Sequence, residues 1–291
     1  MNIIIILLIF VISLFLYLHV YFHLKTSDDL EVFELAIIAK ERLEEICDLR
    51  QPLQMDYDTD QFGSLGRESI LKNYASFDIK LRDVSIVNPQ SELYLPIALD
   101  KGAIVIDEDK DKKFISEGNH EFLEETSLIK EFKSNDEFFR PDLLARASYD
   151  IVMGSQGSVT PLRYENSYRN YFMALNGPVK VKLTPPKSGK YLHPVKDYDN
   201  YEFRSPVDIW EPQPEYATDF KKIKCLDIVL EPGKALFIPA YWWYSFKFDD
   251  TKTTVLSLKY RTYMNTLAIA PSLFLSFLQR QNTFYKKYGK K

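Results

Sequence analysis

The chain of 291 residues is poor in the side chains that bind transition metals. Its two cysteines, Cys47 and Cys225, lie far apart, which excludes a disulfide-stapled scaffold and a thiolate zinc site. Only four histidines occur: His19, His23, His120 and His193. Basic residues are not in excess, since 37 Lys and Arg face 41 Asp and Glu for a net charge of −4. No basic footprint therefore points to nucleic acid as a partner. The sequence contains no Asn-x-Ser/Thr sequon and no internal repeat or low-complexity tract. Apolar residues at 46% and charged residues at 27% exclude the disordered and fibrous classes.

What the sequence has in plenty is an apolar start. From Asn2 to Leu24 there is no formal charge, and twenty helical residues span the roughly 30 Å of a bilayer core. A cleavable signal peptide would need a basic start and small residues at a cleavage site. Here no Lys or Arg precedes the run, and the first alanine is Ala36. The expectation is an uncleaved single-pass anchor over residues 1–25. Lys25 is the one basic residue near either end of the run, and by the positive-inside rule it places the following domain on the cytoplasmic side.

Residues 26–137 read as helices and sheet leading into a β-rich core. Leu30, Phe33, Ile37, Ala39, Leu43 and Ile46 recur at helical spacing, predicting an amphipathic helix from Asp28 to Arg50 capped by Ser27 or Asp28. A short helix is expected over Arg67–Tyr74, short antiparallel strands between Phe77 and Ile106, a charged turn over Asp107–Lys113 and a helix over His120–Lys133. From Tyr149 onward the pattern is many short strands separated by Gly and Pro, which means a sandwich or barrel and not a doubly wound fold. The stretch 187–216, rich in Pro, Asp and Tyr, is expected to be an ordered surface insertion. Residues 263–291 read as a helix packed on the barrel or on a second copy, followed by a basic tail; Pro271 and several polar residues argue against a second membrane span.

Two stretches carry more information than the rest. One runs from Gly154 to Pro186 and contains Thr160-Pro161-Leu162, Asn170, Gly177 and Pro185-Pro186. The other contains Pro232-Gly233, Leu236-Phe237-Ile238-Pro239 and Trp242-Trp243. In the second, Pro-Gly sets a turn and the apolar run buries a short strand between two breakers. Together, and with Phe139-Arg140-Pro141 and the Leu143-Leu144 pair upstream, they resemble the JmjC-like cupin family within the 2-oxoglutarate/Fe(II) dioxygenase superfamily. The resemblance implies a double-stranded β-helix, mainly β with flanking helices, with its core over 138–262 and its active site inside the barrel.

An active member of that family holds Fe(II) with a His-x-Asp pair and a distal His. Residues two apart on a strand point to one side, which is why the first pair has that spacing. At those positions this sequence has Arg163, Glu165 and Tyr244. Arginine has no lone pair to give a metal, and tyrosine ligates iron only as a phenolate, from a pKa near 10. The family's Gly-x-Lys grip on 2-oxoglutarate falls on Val179, with Lys180 one residue out of register, although a bulge after Glu165 would restore it. The position of a further family Asn reads Lys259.

The expectation is a degenerate pocket lined by Thr160, Arg163, Glu165, Asn170, Lys180 and Tyr244, in which Arg163 and Glu165 pair with each other or with neighbours and Tyr244 fills the space beside them. No catalytic residue, metal ligand or cofactor is expected. The leading reading is a membrane-anchored, catalytically inactive binding or scaffold module, with a protein partner or a homodimer formed through the C-terminal helix. The alternative is a 2-oxoglutarate/Fe(II)-dependent protein hydroxylase or demethylase-type oxygenase with atypical ligands, or metal-free chemistry in the same barrel.

Overall fold

The computed structural model describes residues 3–36, 39–86 and 94–288. In chain order its elements begin with α1 (Ile3–Leu24), β1 (Phe33–Leu35), α2 (Lys40–Cys47), β2 (Leu53–Asp56) and α3 (Arg67–Tyr74). There follow β3 (Asp78–Asp83), β4 (Leu95–Ala98), α4 (Leu99–Glu108), β5 (Phe114–Ser116), α5 (His120–Glu125) and α6 (Ile129–Asn135). The core strands are β6 (Leu144–Gly154), β7 (Arg163–Tyr164), β8 (Arg169–Leu175) and β9 (Val179–Thr184). An insertion then carries β10 (Val195–Asp197), β11 (Glu202–Arg204) and α7 (Ala217–Phe220). The chain ends with β12 (Leu226–Leu230), β13 (Lys234–Phe237), β14 (Trp243–Phe248), β15 (Thr254–Thr262), α8 (Tyr263–Ala268) and α9 (Ala270–Tyr288).

The strands form two sheets. The larger runs β1-β2-β13-β8-β15-β6-β5-β3-β4 and the smaller β10-β11-β7-β14-β9-β12. Only the β1–β2 pair is parallel among the described strands. Apolar side chains from both sheets share one core, with Phe172 and Val255 of the large sheet packed with Val181, Tyr244 and Phe246 of the small one. The large sheet's other face is covered by helices, where Tyr171, Met173 and Tyr260 meet Leu43, Phe122 and Phe132. This explains why β8, RNYFMAL, is buried at all seven positions: both faces are covered, and alternate residues serve different cores. The result is the double-stranded β-helix expected from the motifs. The Pro232-Gly233 turn has Gly233 at φ +84°, a conformation open to glycine without steric cost.

The N-terminal third departs from its reading. Among the described residues between Asp28 and Arg50 only Lys40–Cys47 is helical, and Phe33–Leu35 instead forms β1, paired with Leu53–Met55; Ile37 and Ile38 lie outside the described residues. The run Ala103–Ile106 belongs to α4 and not to a strand, an ambiguity inherent in short apolar runs. The helix expected over His120–Lys133 breaks at Ser127, which sits at φ +61°. Strands β1 to β5 all join the large sheet, so the described strands of this region continue the barrel's own sheet. The insertion is ordered and adds β10 and β11 to the small sheet, while Leu192, Val207 and Ile209 pack on its outer face against Leu162 and Trp243.

Helix α1 has mean hydropathy 3.0 over its best 18-residue window, and none of that window is buried in the structure. By length and composition it is suited to crossing a membrane. Its last turn touches the barrel: His23 Nε2 lies 3.3 Å from Thr262 Oγ1 at the start of α8. The C-terminal segment is two helices. Thr262 caps α8 by accepting from Asn265 N at 3.1 Å. Helix α9 lies over one end of the barrel, with Gln279 and Arg280 bonded to Asp199. The last residues of the basic tail, Lys290 and Lys291, are outside the described residues.

Candidate functional site

The space between the two sheets opens into a cavity of about 480 Å³ under α9. Its small-sheet wall is set by the pairing of β7 with β14, which places Arg163 directly opposite Tyr244. Glu165 follows two residues on and stays on the same side, held where its carbonyl accepts from Tyr241 N at 2.7 Å. The large-sheet wall is a ladder on β6 and β15 with Asp150 opposite Ser257, Ser148 opposite Lys259 and Arg146 opposite Arg261. All six of these residues line the cavity.

Charge inside is heavily paired. Arg163 donates through Nη2 to Glu117 and lies 3.4 Å from Glu202. Arg82 holds the same two carboxylates, at 2.8 Å each. Burial opposes ionisation of Glu117, but the guanidiniums of Arg163 and Arg82 outweigh it and hold its pKa down to about 2. The same two carboxylates, against burial, raise the pKa of Arg163 well above its ordinary value. A second group bridges the sheets: Lys259 Nζ donates to Glu165 Oε1 at 2.6 Å, and Tyr244 Oη donates to the same oxygen at 3.2 Å. Burial works against the Lys259 charge and the Glu165 carboxylate overcomes it, raising the ammonium's pKa. Glu165 is lowered in turn, Lys259 offsetting its burial. Burial, with Glu165 nearby, pushes the Tyr244 phenol up to about 12. Asp150 accepts from the backbone of Gly118 and Asn119, each at 2.8 Å.

These residues do not fit ferrous ion. Arg163 offers no lone pair, Tyr244 stays a neutral phenol far above neutral pH, and an ammonium already occupies Glu165. Among the described residues no group of three or more His, Cys, Asp or Glu is placed to hold a metal ion. His120 does line the cavity, but its Nε2 faces Glu124 at 3.4 Å. His193 faces Asp219 at 3.1 Å in the insertion.

Of the six residues expected in the pocket, the structure brings together Arg163, Glu165 and Tyr244. Arg163 and Glu165 bond to separate partners and not to each other. Thr160 is a strand lock whose Oγ1 accepts from Phe246 N at 2.8 Å and whose carbonyl accepts from Ser245 Oγ. Asn170 ties Ser167 and Ile238 carbonyls, both at 3.1 Å. Lys180 is exposed and pairs with Asp249 at 3.0 Å, because β9 alternates Val179 and Val181 inward with no bulge to reverse it. The motifs did not disclose Glu117, Glu202, Arg82 or Arg261. Lys259 was visible as a departure from the family's Asn, and that substitution was the one available signal.

A barrel of two mainly antiparallel sheets with its cavity between them, and the Thr-Pro and Pro-Gly/Trp-Trp motifs on the walls, defines the cupin class. The family model described as a cupin-like domain matches residues 103–263, more than half of the chain. The chain therefore belongs to the cupin-like family and carries a JmjC-like cupin domain. It is 26% identical to human HSPB1-associated protein 1 over 137 residues, 47% of this chain and 28% of that protein. It is 30% identical to JmjC domain-containing protein D of Dictyostelium discoideum over 95 residues, 33% of this chain and 21% of that one. Arginine-specific demethylase JMJ20 of Arabidopsis thaliana is 33% identical over 125 residues, 41% of this chain and 26% of the relative. Each match thus spans less than a third of the relative's own length.

Proposed function

We propose that the chain is a membrane-anchored JmjC-like cupin that has no iron-dependent activity and works as a binding or scaffold module. The observation that carries this reading is Glu165. It is the one carboxylate at a family ligand position, and it is bonded by Lys259 and Tyr244 at 2.6 and 3.2 Å. With Arg163 alongside, a dication entering there meets two fixed positive charges. The name of the human relative, an associated protein, agrees with a binding role. The exposed apolar residues of α9, Phe274, Leu275 and Leu278, suit a protein partner or a second copy. In this reading α1 is the anchor and the barrel faces the cytoplasm on the strength of Lys25. The name of the Arabidopsis relative favours the alternative, a 2-oxoglutarate/Fe(II) oxygenase acting on protein side chains with atypical ligands.

Metal binding separates the two. The full chain in detergent is titrated calorimetrically with Mn(II) in the presence of 2-oxoglutarate under anaerobic conditions. No stoichiometric heat is expected, and a site of micromolar affinity or tighter would falsify the non-catalytic reading. A chain carrying R163H, E165D and Y244H is also expected to bind no metal, because Lys259 remains on the carboxylate. Adding K259N to those three is expected to raise metal affinity above that of the triple variant.

A further inference from the structure

Most charges in the cavity wall have a partner of opposite sign or a backbone donor. At the mouth Arg146 and Arg261 stand directly opposite each other on β6 and β15. Directly opposed side chains in an antiparallel pair have Cβ atoms about 5 Å apart, and like charges there are destabilising. Neither arginine has an ion-pair partner among the described residues. Arg261 donates to Ser167 Oγ at 3.3 Å and lies 5.0 Å over the Tyr201 ring. Glu165 on the facing wall already holds Lys259, and the ladder's own carboxylate, Asp150, accepts from the backbone of Gly118 and Asn119. Arg280 of α9 lines the same mouth. A second observation lies deeper on the same strand face. Ser257 is 2% exposed, lines the cavity, and its Oγ has no hydrogen-bond partner among the described residues. Four residues of strand separate it from Arg261, about 13 Å.

We propose that the cavity binds an organic phosphate, its phosphoryl group between Arg146 and Arg261 and its body running inward to a polar end at Ser257. A phosphomonoester carries about two negative charges and three acceptor oxygens, enough to neutralise both guanidiniums and to take forked hydrogen bonds from them. Arg163 does not serve, because Glu117 and Glu202 already hold it. This site gives the binding-module reading a ligand class and rests on that reading. It shares no residue with the iron positions, so its failure and the failure of the metal titration are separate results.

The test uses the full chain in detergent at constant ionic strength, with chloride balancing the probe. Inorganic phosphate and a hydroxyalkyl phosphate long enough to reach Ser257 are titrated calorimetrically, and dioctanoyl phosphatidic acid is added to the micelles in a third arm. Both soluble probes are expected to bind, and R146Q together with R261Q is expected to weaken each by about tenfold or more. The exposed control R42Q, whose arginine pairs with Glu45 on α2, is expected to change nothing. S257A is expected to weaken the hydroxyalkyl phosphate and leave inorganic phosphate unaltered. Binding confined to the phosphatidic acid arm and lost in the arginine variants supports the site with a lipid as the source. Absence of heat in all three arms, or heats unaltered in the arginine variants, overturns the site. An unaltered hydroxyalkyl phosphate in S257A overturns the placement of the body.

Discussion

Arg163 and Glu117 show how a single side chain decides what the barrel can hold. Removing one member of a buried ionic group leaves the others uncompensated, at a cost of about 3–5 kcal/mol. R163H should therefore lower the unfolding free energy by about 3 kcal/mol at neutral pH, read as a reduced urea midpoint. E117Q in the same chain should return part of that loss, and a double-mutant cycle measures the coupling. The group also fixes a response to acid. Glu117 titrates near 2 when folded against an ordinary value of 4.5, so its ionised form stabilises the fold fully above about pH 4.5. That contribution falls as the pH drops towards 2. The urea midpoints of the parent and of E117Q should differ most near neutrality and converge between those two values. A difference that grows in acid would contradict the assignment of Arg163 and Arg82 as its partners.

Strands, turns and helices differ in how far the sequence discloses them. The short strands separated by Gly and Pro, the Pro232-Gly233 turn and the Trp242-Trp243 pair are local patterns, and they gave the barrel and two of its walls. Strand β1 was hidden because Leu30, Phe33 and Leu43 fit helical spacing equally well, and pairing with β2 decided for a strand. The partners of Arg163 were hidden for a different reason. Glu117 and Glu202 lie 46 and 39 residues away in the chain, and no local pattern marks a carboxylate as buried. At this scale Trp242 is the decisive side chain of the β13–β14 turn. It is fully buried, and its Nε1 donates to the Arg50 carbonyl at 3.2 Å. W242A should cost about 3–5 kcal/mol, seen as a lower thermal midpoint with loss of near-ultraviolet circular dichroism. Its binding of the phosphate probes at low temperature should follow the folded fraction.

For the whole molecule the decisive feature is the join between α1 and the barrel. His23 meets Thr262 and Tyr168, and Arg50 stacks on Phe22 at 4.9 Å. A chain starting at Leu18 should remain folded with a thermal midpoint close to that of the full chain and lose its need for detergent. A chain starting at Thr26 should have a lower midpoint, because the contacts of Phe22 and His23 go with it; equal midpoints would show the join to be passive. Past α1 only eight residues precede β1, and two of them are pinned to the barrel, Asp28 by Lys187 and Asp29 by Gln51. With α1 seated in a bilayer there is thus no stalk. In the proposed anchored arrangement the domain would stay against the surface, and a ligand of the proposed site would have to reach it within a thin shell at the lipid face.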